Sequence, residues 1–351
     1  MQTTRGHSAA RLFLTCGQAD GLADAVDLYH RTKGPVVTAT PPPQPAPPPA
    51  ADPLAAYVGR QVWVNGQLTP AAEATVSVFD HGVLYGDGIF EGIRIYHGKV
   101  LKLATHLKRL AESAKSIRLN MPYSGEALFD AVKDTVAANQ IDHGYIRLVV
   151  TRGPGTLGID PVPCPRPCVF IIVAPIQLYP PQYYEQGLKL ISSSFIRTNP
   201  QALSPRIKSL NYLNNILAKT EALEAGVFEA VMYNDQGYVA EATADNLFIV
   251  RHTGKAVKVI TPPLSAGCLE GVTRNLVLDL AHDAGFDTAQ ENLTRHDLYT
   301  AHEMFLTGTG AEVIPVVDLD QRTIGDTGRP GPTTQALIVA FREMVKDPPE
   351  D

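Results

Sequence analysis

Net charge of one sign is scarce in this sequence: 30 basic residues against 36 acidic ones in 351 leave a formal charge of -6. No global field therefore draws the chain to nucleic acid or to an anionic membrane surface, although a local anion site is compatible with that balance. Cysteine is also sparse, with Cys16, Cys164, Cys168 and Cys268 as the 4 examples, and no secretory framework surrounds them. Cys164-Pro-Arg-Pro-Cys168 lacks a second ligand pair, so no metal site is expected. Long apolar runs are missing too: none reaches the roughly 20 residues a helix needs to span a bilayer. The first residues lack the basic, apolar and small-residue succession of a secretory signal. A cytoplasmic protein without membrane contact is the expectation.

What is present points to a folded chain of some size. Hydrophobic residues at 44% and charged residues at 19% suit a large core with a solvated surface, and the length exceeds one ordinary domain. Residues 41–50 read PPPQPAPPPA; proline fixes φ and removes donors, so residues 1–56 are expected to form a leader outside any core. A small α/β domain is expected over 57–175, a proline- and tyrosine-rich connection over 176–186, and a larger domain over 187–351.

Short strands are expected at Val62–Val64 with an Asn65-Gly66 hairpin turn, then at Val76–Phe79, Ile89–Tyr96 and Val100–Leu103. Helical spacing follows at Leu107, Leu110, Ala111, Ala114 and Ile117, and again at Leu128, Ala131, Val132 and Val136. Strands at Tyr145–Val150 and Val169–Ile176 complete the first half. In the second half, strands are expected at Leu188–Ser193 and near Val231, Val239, Leu247–Val250, Val257–Ile260 and Met304–Leu306. Helices are expected from Tyr212, over Thr273–Ala284 and after Pro332.

Several residues carry possible chemistry, each beside a plainer reading. Lys208 precedes an apolar helical stretch, where a desolvated amine is a nucleophile; a helix-flanking surface lysine is the alternative. Glu270-Gly271-Val272-Thr273 opens a helix whose free amides can take phosphate, or Gly271 and Thr273 merely cap it. Thr307-Gly308-Thr309-Gly310 is a nest for an anion or a tight turn. Arg109 should face away from the apolar stripe of its helix, as a phosphate clamp or a surface charge. Glu241 is an ordinary strand-end acid, unless an aromatic cofactor gives it a ring nitrogen to face.

Taken in order, the blocks Phe79–Arg94, Lys208–Asn215, Glu241–Phe248, Glu270–Arg274 and Thr307–Pro315 resemble those of the class IV, or fold type IV, aminotransferases, most nearly the branched-chain amino acid group. The resemblance runs from about Val62 to Lys346. It implies an α+β fold of two α/β domains with pyridoxal 5'-phosphate between them, held as a Schiff base on catalytic Lys208. It also implies Arg109, Val272, Thr273 and Thr309 around the phosphate, Glu241 at the ring nitrogen and Tyr212 near the phenolic oxygen. Tyr212 follows the lysine by 4 residues, where some relatives use a longer spacing.

For substrate, the resemblance implies a cavity built or braced by Tyr85, Phe90, Tyr145 and Arg147, with the amides of Thr309 and Gly310 offered to a carboxylate. Relatives commonly carry alanine where Gly310 stands, and glycine there adds backbone freedom. Branched L-amino acids and 2-oxoglutarate are the expected substrates, and a homodimer is implied, Tyr85 reaching toward a second subunit. A D-amino acid or (R)-amine transaminase is the alternative, weakened by Leu157 and Ile159 where a D-acid enzyme's arginine and histidine would stand. Aminodeoxychorismate lyase, and a noncatalytic protein whose proline-rich leader engages a partner groove, are further readings.

Overall fold

The computed structural model describes residues 54–254 and 256–351; the proline-rich stretch, nearly all of the expected leader and Cys16 lie outside them. Asn65 and Gly66 take φ of 48° and 99°, the backbone an Asn-Gly turn supplies at little strain. They fold β1 (Gln61–Val64) back onto β2 (Gln67–Pro70). The strand expected at Val76–Phe79 is instead a loop whose Val78 and Phe79 are exposed. Alternating apolar residues imitated a strand there, but they face solvent and pair with nothing in a sheet. The loop enters α1 (His81–Tyr85), where the Asp80 carboxylate accepts from the Gly82 amide at 2.7 Å as an N-cap.

β3 (Gly88–Tyr96) turns at His97-Gly98 into β4 (Lys99–Val100). β4 is shorter than expected because α2 (Leu103–Ser116) already begins at Leu103. Then come α3 (Gly125–Asn139), β5 (Gly144–Thr151) and β6 (Cys168–Ala174). These strands form a sheet ordered β2-β1-β6-β5-β3-β4, antiparallel at every pairing. Alternate residues, among them Ile93, Ile146, Leu148 and Ile171, share one core with Leu107, Leu110, Leu128 and Val132 of the helices. Each such buried aliphatic side chain contributes about 1.5–3 kcal/mol relative to exposure.

The second sheet starts after α4 (Tyr183–Gln186) with β7 (Leu188–Ser192). It continues through α5 (Leu213–Glu224), β8 (Glu229–Tyr233), β9 (Val239–Ala242), β10 (Asn246–Thr253) and β11 (Ala256–Thr261). α6 (Val272–Asp283), β12 (Asp287–Gln290), α7 (Arg295–Tyr299), β13 (Glu303–Gly308), β14 (Glu312–Leu319), β15 (Arg322–Thr323) and α8 (Pro332–Met344) complete it. The strand order is β12-β11-β10-β13-β14-β7-β8-β9, with β15 beside β14. Helices and mixed strands in two sheets make the α+β class that was expected. Among the described residues no helix is long and apolar enough to cross a membrane.

One crossing positions the site. Between β7 and α5 the chain returns to the first sheet: Phe90 N–H donates to the Lys208 carbonyl and Leu210 N–H to the Gly88 carbonyl, each at 2.9 Å. Ser209 thereby pairs with Ile89 as a single rung on β3.

Candidate active site

That rung holds Lys208 by its backbone, and its own N–H reaches the Ser113 hydroxyl of α2 at 3.2 Å. The side chain runs into a cavity of about 190 Å³ lined from both sheets by Arg109, Tyr145, Arg147, Lys208, Glu241, Val272, Thr273, Thr309 and others. Lys208 Nζ donates to the Tyr212 hydroxyl at 3.2 Å and lies 4.6 Å from the Phe90 ring centroid. The short spacing of Tyr212 from the lysine therefore suffices for contact. Phe90 and Tyr212 meet edge to face at 5.0 Å, so each ring limits the other's motion.

Glu241 is buried in β9 and its oxygens are all engaged. Oε1 accepts from Arg197 Nε at 3.0 Å, and Arg197 Nη2 lies 3.0 Å from it as an ion pair. Oε2 accepts from the Leu269 amide at 3.0 Å and Asn246 Nδ2 at 3.2 Å. Arg197 is in turn held by Asn215 Oδ1 at 3.0 Å. Buried donors of this kind fix the carboxylate in one orientation. Sequence reasoning missed Arg197, whose partner is 44 positions away and whose surroundings, Phe195-Ile196-Arg197-Thr198, read as an ordinary loop. The two asparagines sat inside recognised blocks, but nothing in their spacing told which acid they would meet.

The opposite chemistry gathers at α6. Its N-cap is Gly271 and no side chain caps it, so the first-turn amides of Val272 and Thr273 stand at the cavity. A Cβ on Gly271 would fall 2.0 Å from Asn246 Oδ1, so glycine is what lets the helix start approach this wall. Arg109 also lines the cavity, yet it is neither a free clamp nor a surface charge. Its Nε and Nη2 bind both oxygens of Glu91 at 2.8 and 2.7 Å, and Nη1 reaches the Glu270 carbonyl at 2.7 Å. Two of the five N–H groups of the guanidinium are left over.

Glu91 is fully buried with Arg109 and His106, whose Nδ1 lies 2.8 Å from Oε2. Burial pushes the Glu91 carboxyl up, but the Arg109 and His106 charges and hydrogen bonds outweigh it and hold the group well below its ordinary range. Burial pushes the His106 ring down, against the pull of Glu91, and Nδ1 donates to the Glu91 carboxylate.

Further polar groups close the wall. Thr307 Oγ1 is buried with no hydrogen-bond partner among the described residues, and Thr307 lines the cavity. Asp245 is fully buried; burial first and Glu229 second raise its carboxyl to about 7, while Tyr179 donates to its Oδ2 at 2.8 Å.

On the substrate side, Tyr145 and Arg147 share one face of β5 and both line the cavity, and Arg147 lies over the Phe90 ring at 4.5 Å. Gly92 on β3 leaves room for the Tyr145 ring, since a Cβ there would overlap its hydroxyl. Thr309 and Gly310 are cavity residues as expected. Gly310 does not use the backbone freedom of glycine, because its φ is not positive. Tyr85 does not line this cavity: it sits on the surface, 39% exposed, its hydroxyl bonded to the Leu157 carbonyl. Among the described residues no group of three or more His, Cys, Asp or Glu forms a metal site.

A primary amine, a clamped carboxylate, an uncapped helix start and an unpartnered hydroxyl in one cavity are the donor set for a phosphorylated aromatic aldehyde. The Amino-transferase class IV family profile matches residues 88–319. The chain belongs to the class IV aminotransferases.

Several relatives in this family share nearly their whole length with it. A Methanocaldococcus jannaschii protein, provisionally described as a branched-chain-amino-acid aminotransferase, is 45% identical over 81% of this chain and 96% of its own. The crystal structure of the Escherichia coli branched-chain amino acid aminotransferase superposes with a TM-score of 0.79 at 31% identity, covering 83% of this chain and 97% of that one. The branched-chain amino acid aminotransferase of Thermobaculum terrenum, in its PLP-bound holo form, gives 0.74 at 32% identity, over 83% and 95%. Class IV aminotransferases are enzymes that use pyridoxal phosphate.

Proposed function

We propose that this class IV aminotransferase exchanges amino groups between leucine, isoleucine or valine and 2-oxoglutarate, with pyridoxal 5'-phosphate carried on Lys208. The observation that carries the reading is the Lys208 amine beside Tyr212, in the same cavity as a Glu241 carboxylate bound on every side. When bound, the cofactor ring accepts the electrons left behind by a broken C–H bond. Lys208 Nζ then acts as general base, taking the α-carbon proton of the amino acid and delivering it again on the same face. The Tyr212 hydroxyl at 3.2 Å orients that amine. Glu241 would face the ring nitrogen, held in place by Arg197, Asn246 and the Leu269 amide. Val272, Thr273, Thr309 and the remaining Arg109 donors would take the phosphate and fix which bond faces Lys208.

The branched side chain is supported by Ile176, Leu178 and Tyr145 in the cavity lining, with Arg147 for a distal carboxylate. For a D-acid enzyme the loop carries only apolar Leu157 and Ile159, both strongly exposed. The same reading treats residues 57–175 and 187–351 as two domains joined by 176–186, and takes a homodimer as the working unit. Apolar residues left in solvent support the dimer: Val78, Val83, Ile159 and Val162 are more than half exposed. The two segments that carry them, 78–83 and 155–162, are tied by Gly155 N–H to the Phe79 carbonyl at 3.1 Å. A cytoplasmic setting is supported by Cys164, Cys168 and Cys268, which are buried free thiols.

The test is spectroscopic and kinetic. Purified protein should show a visible or near-ultraviolet imine band that borohydride fixes to Lys208, and should turn over L-leucine and L-valine with 2-oxoglutarate faster than D-alanine, D-glutamate or (R)-1-phenylethylamine. Lys208→Ala should lose the adduct and about 100- to 10,000-fold in half-reaction rate. No adduct, or preferred D-acid turnover, rejects the reading.

A further inference from the structure

We propose that the substrate carboxylate is bound together with a proton held on Asp245; the inference rests on the transaminase reading above, in which the Thr309 and Gly310 amides take that carboxylate. Asp245 lies in the tight turn between β9 and β10, is 3% exposed, and lines the active cavity. Its Oδ2 accepts from the Tyr179 hydroxyl at 2.8 Å. Among the described residues Oδ1 accepts no hydrogen bond, and it is not sealed away as Thr307 Oγ1 is. A Cβ on Gly308 would fall 2.0 Å from Oδ1, although φ there is not positive. Glycine at 308 thus serves the approach of this carboxyl rather than the backbone. The acid stands where a side chain of residue 308 would stand, next to the two amides that follow.

Two buried acids share this corner with unequal support. Glu229 of β8 takes Lys219 Nζ of α5 at 2.6 Å on one oxygen, and the Thr243 N–H at 3.0 Å and hydroxyl at 2.6 Å on the other. Asp245 has one neutral donor. Burial first and Glu229 second raise its carboxyl to about 7; Tyr179 and Lys219 oppose the rise, and Glu241 of β9 adds to it. The cations Arg109, Arg147 and Lys208 line the same cavity and draw a carboxylate in. Its arrival at the turn adds a further negative charge beside Asp245, which raises that acid by about one unit or more. Near neutral pH Asp245 therefore takes a proton from solvent as the ligand enters, with no covalent bond of the ligand changed. By the same linkage the ligand binds best when Asp245 is neutral.

The experiment titrates 4-methylpentanoate into holoenzyme by calorimetry at pH 7.5, in HEPES and in Tris, whose different ionisation heats report proton uptake. The imine band follows the lysine separately. Wild type should take up about half a proton more than Asp245→Asn, the amount a shift of about one unit around that pH supplies. Its Kd should rise about 10-fold from pH 6 to pH 9 beyond any rise in Asp245→Asn. Tyr179→Phe, which removes the donor on Oδ2, should keep the proton uptake and move the weakening of Kd to higher pH; it decides the matter if Asp245→Asn fails to hold the cofactor. Equal proton uptake in wild type and Asp245→Asn, or a Tyr179→Phe profile that coincides with wild type, overturns the role of Asp245. Wild type that neither binds 4-methylpentanoate nor turns over leucine overturns the reading beneath it, and the inference with it.

Discussion

Arg197 acts on the chemistry through another residue: among the described residues its guanidinium bonds Glu241, Asn214 and Asn215. Arg197→Met removes a charge-assisted hydrogen bond and an ion pair from a buried carboxylate. Glu241 should then lose its fixed orientation in the cavity, lowering kcat by about 10- to 100-fold with KM little changed, and Arg197→Lys should restore part of the loss. A variant with lower stability but unchanged kcat would contradict this. His106 gives a titration argument. Burial lowers its pKa in the folded chain, so the unfolded chain takes up a proton first as pH falls through about 6.5, and stability is lost below that point. One such group changes stability by up to about 1.4 kcal/mol per pH unit. The denaturant midpoint should therefore drop between pH 7.5 and 5.5, and drop less in His106→Gln. The Glu91 contribution runs on a different axis: its carboxyl is held low, so its stabilisation is present above the ordinary carboxylate range and is lost only in strong acid. That Lys208, Glu241 and Thr273 meet in one cavity was legible because each sits in a short block that carries the family resemblance. Arg197 and Asp245 were not, since their roles arise from partners distant in sequence.

Elements whose termini enter the site are held there by glycine. The start of α6 touches Asn246 so closely that Gly271→Ala must displace an amide that supports both Glu241 and the Leu269 carbonyl. The expected outcome is a stability loss of about 1–3 kcal/mol together with a smaller gain in melting temperature on adding pyridoxal phosphate; an unchanged ligand-induced shift would count against it. The sequence announced elements with an apolar period and missed those without one. β12, Asp-Thr-Ala-Gln, is a polar edge strand. β14 was obscured by Pro315, which pairs with Phe305 on one side, while β7 joins the other side only from Val316 onward. No neighbour there demands the N–H that proline lacks.

For the whole molecule, the expected assembly hinges on the loop 155–162. Ile159, 84% exposed, would be covered in a dimer, and Ile159→Asp would bury an unpaired carboxylate there. Wild type should sediment at twice the monomer mass and Ile159→Asp should shift toward monomer with its fold intact by circular dichroism; a wild-type monomer would refute the dimer. The α+β class came with the family resemblance, the alternation of periods along the chain offering only strands and helices to fill it. The path of 205–211 back to the first sheet could not be read, because a single rung leaves no pattern in sequence.

That rung has a consequence in time. A lysine stitched to β3 from a segment that follows β7 reaches its place only after both halves of the chain have met, so capture of the coloured vitamin should be among the last events of renaturation. Its absorbance would then clock the completion of assembly, while far-ultraviolet ellipticity recovers earlier.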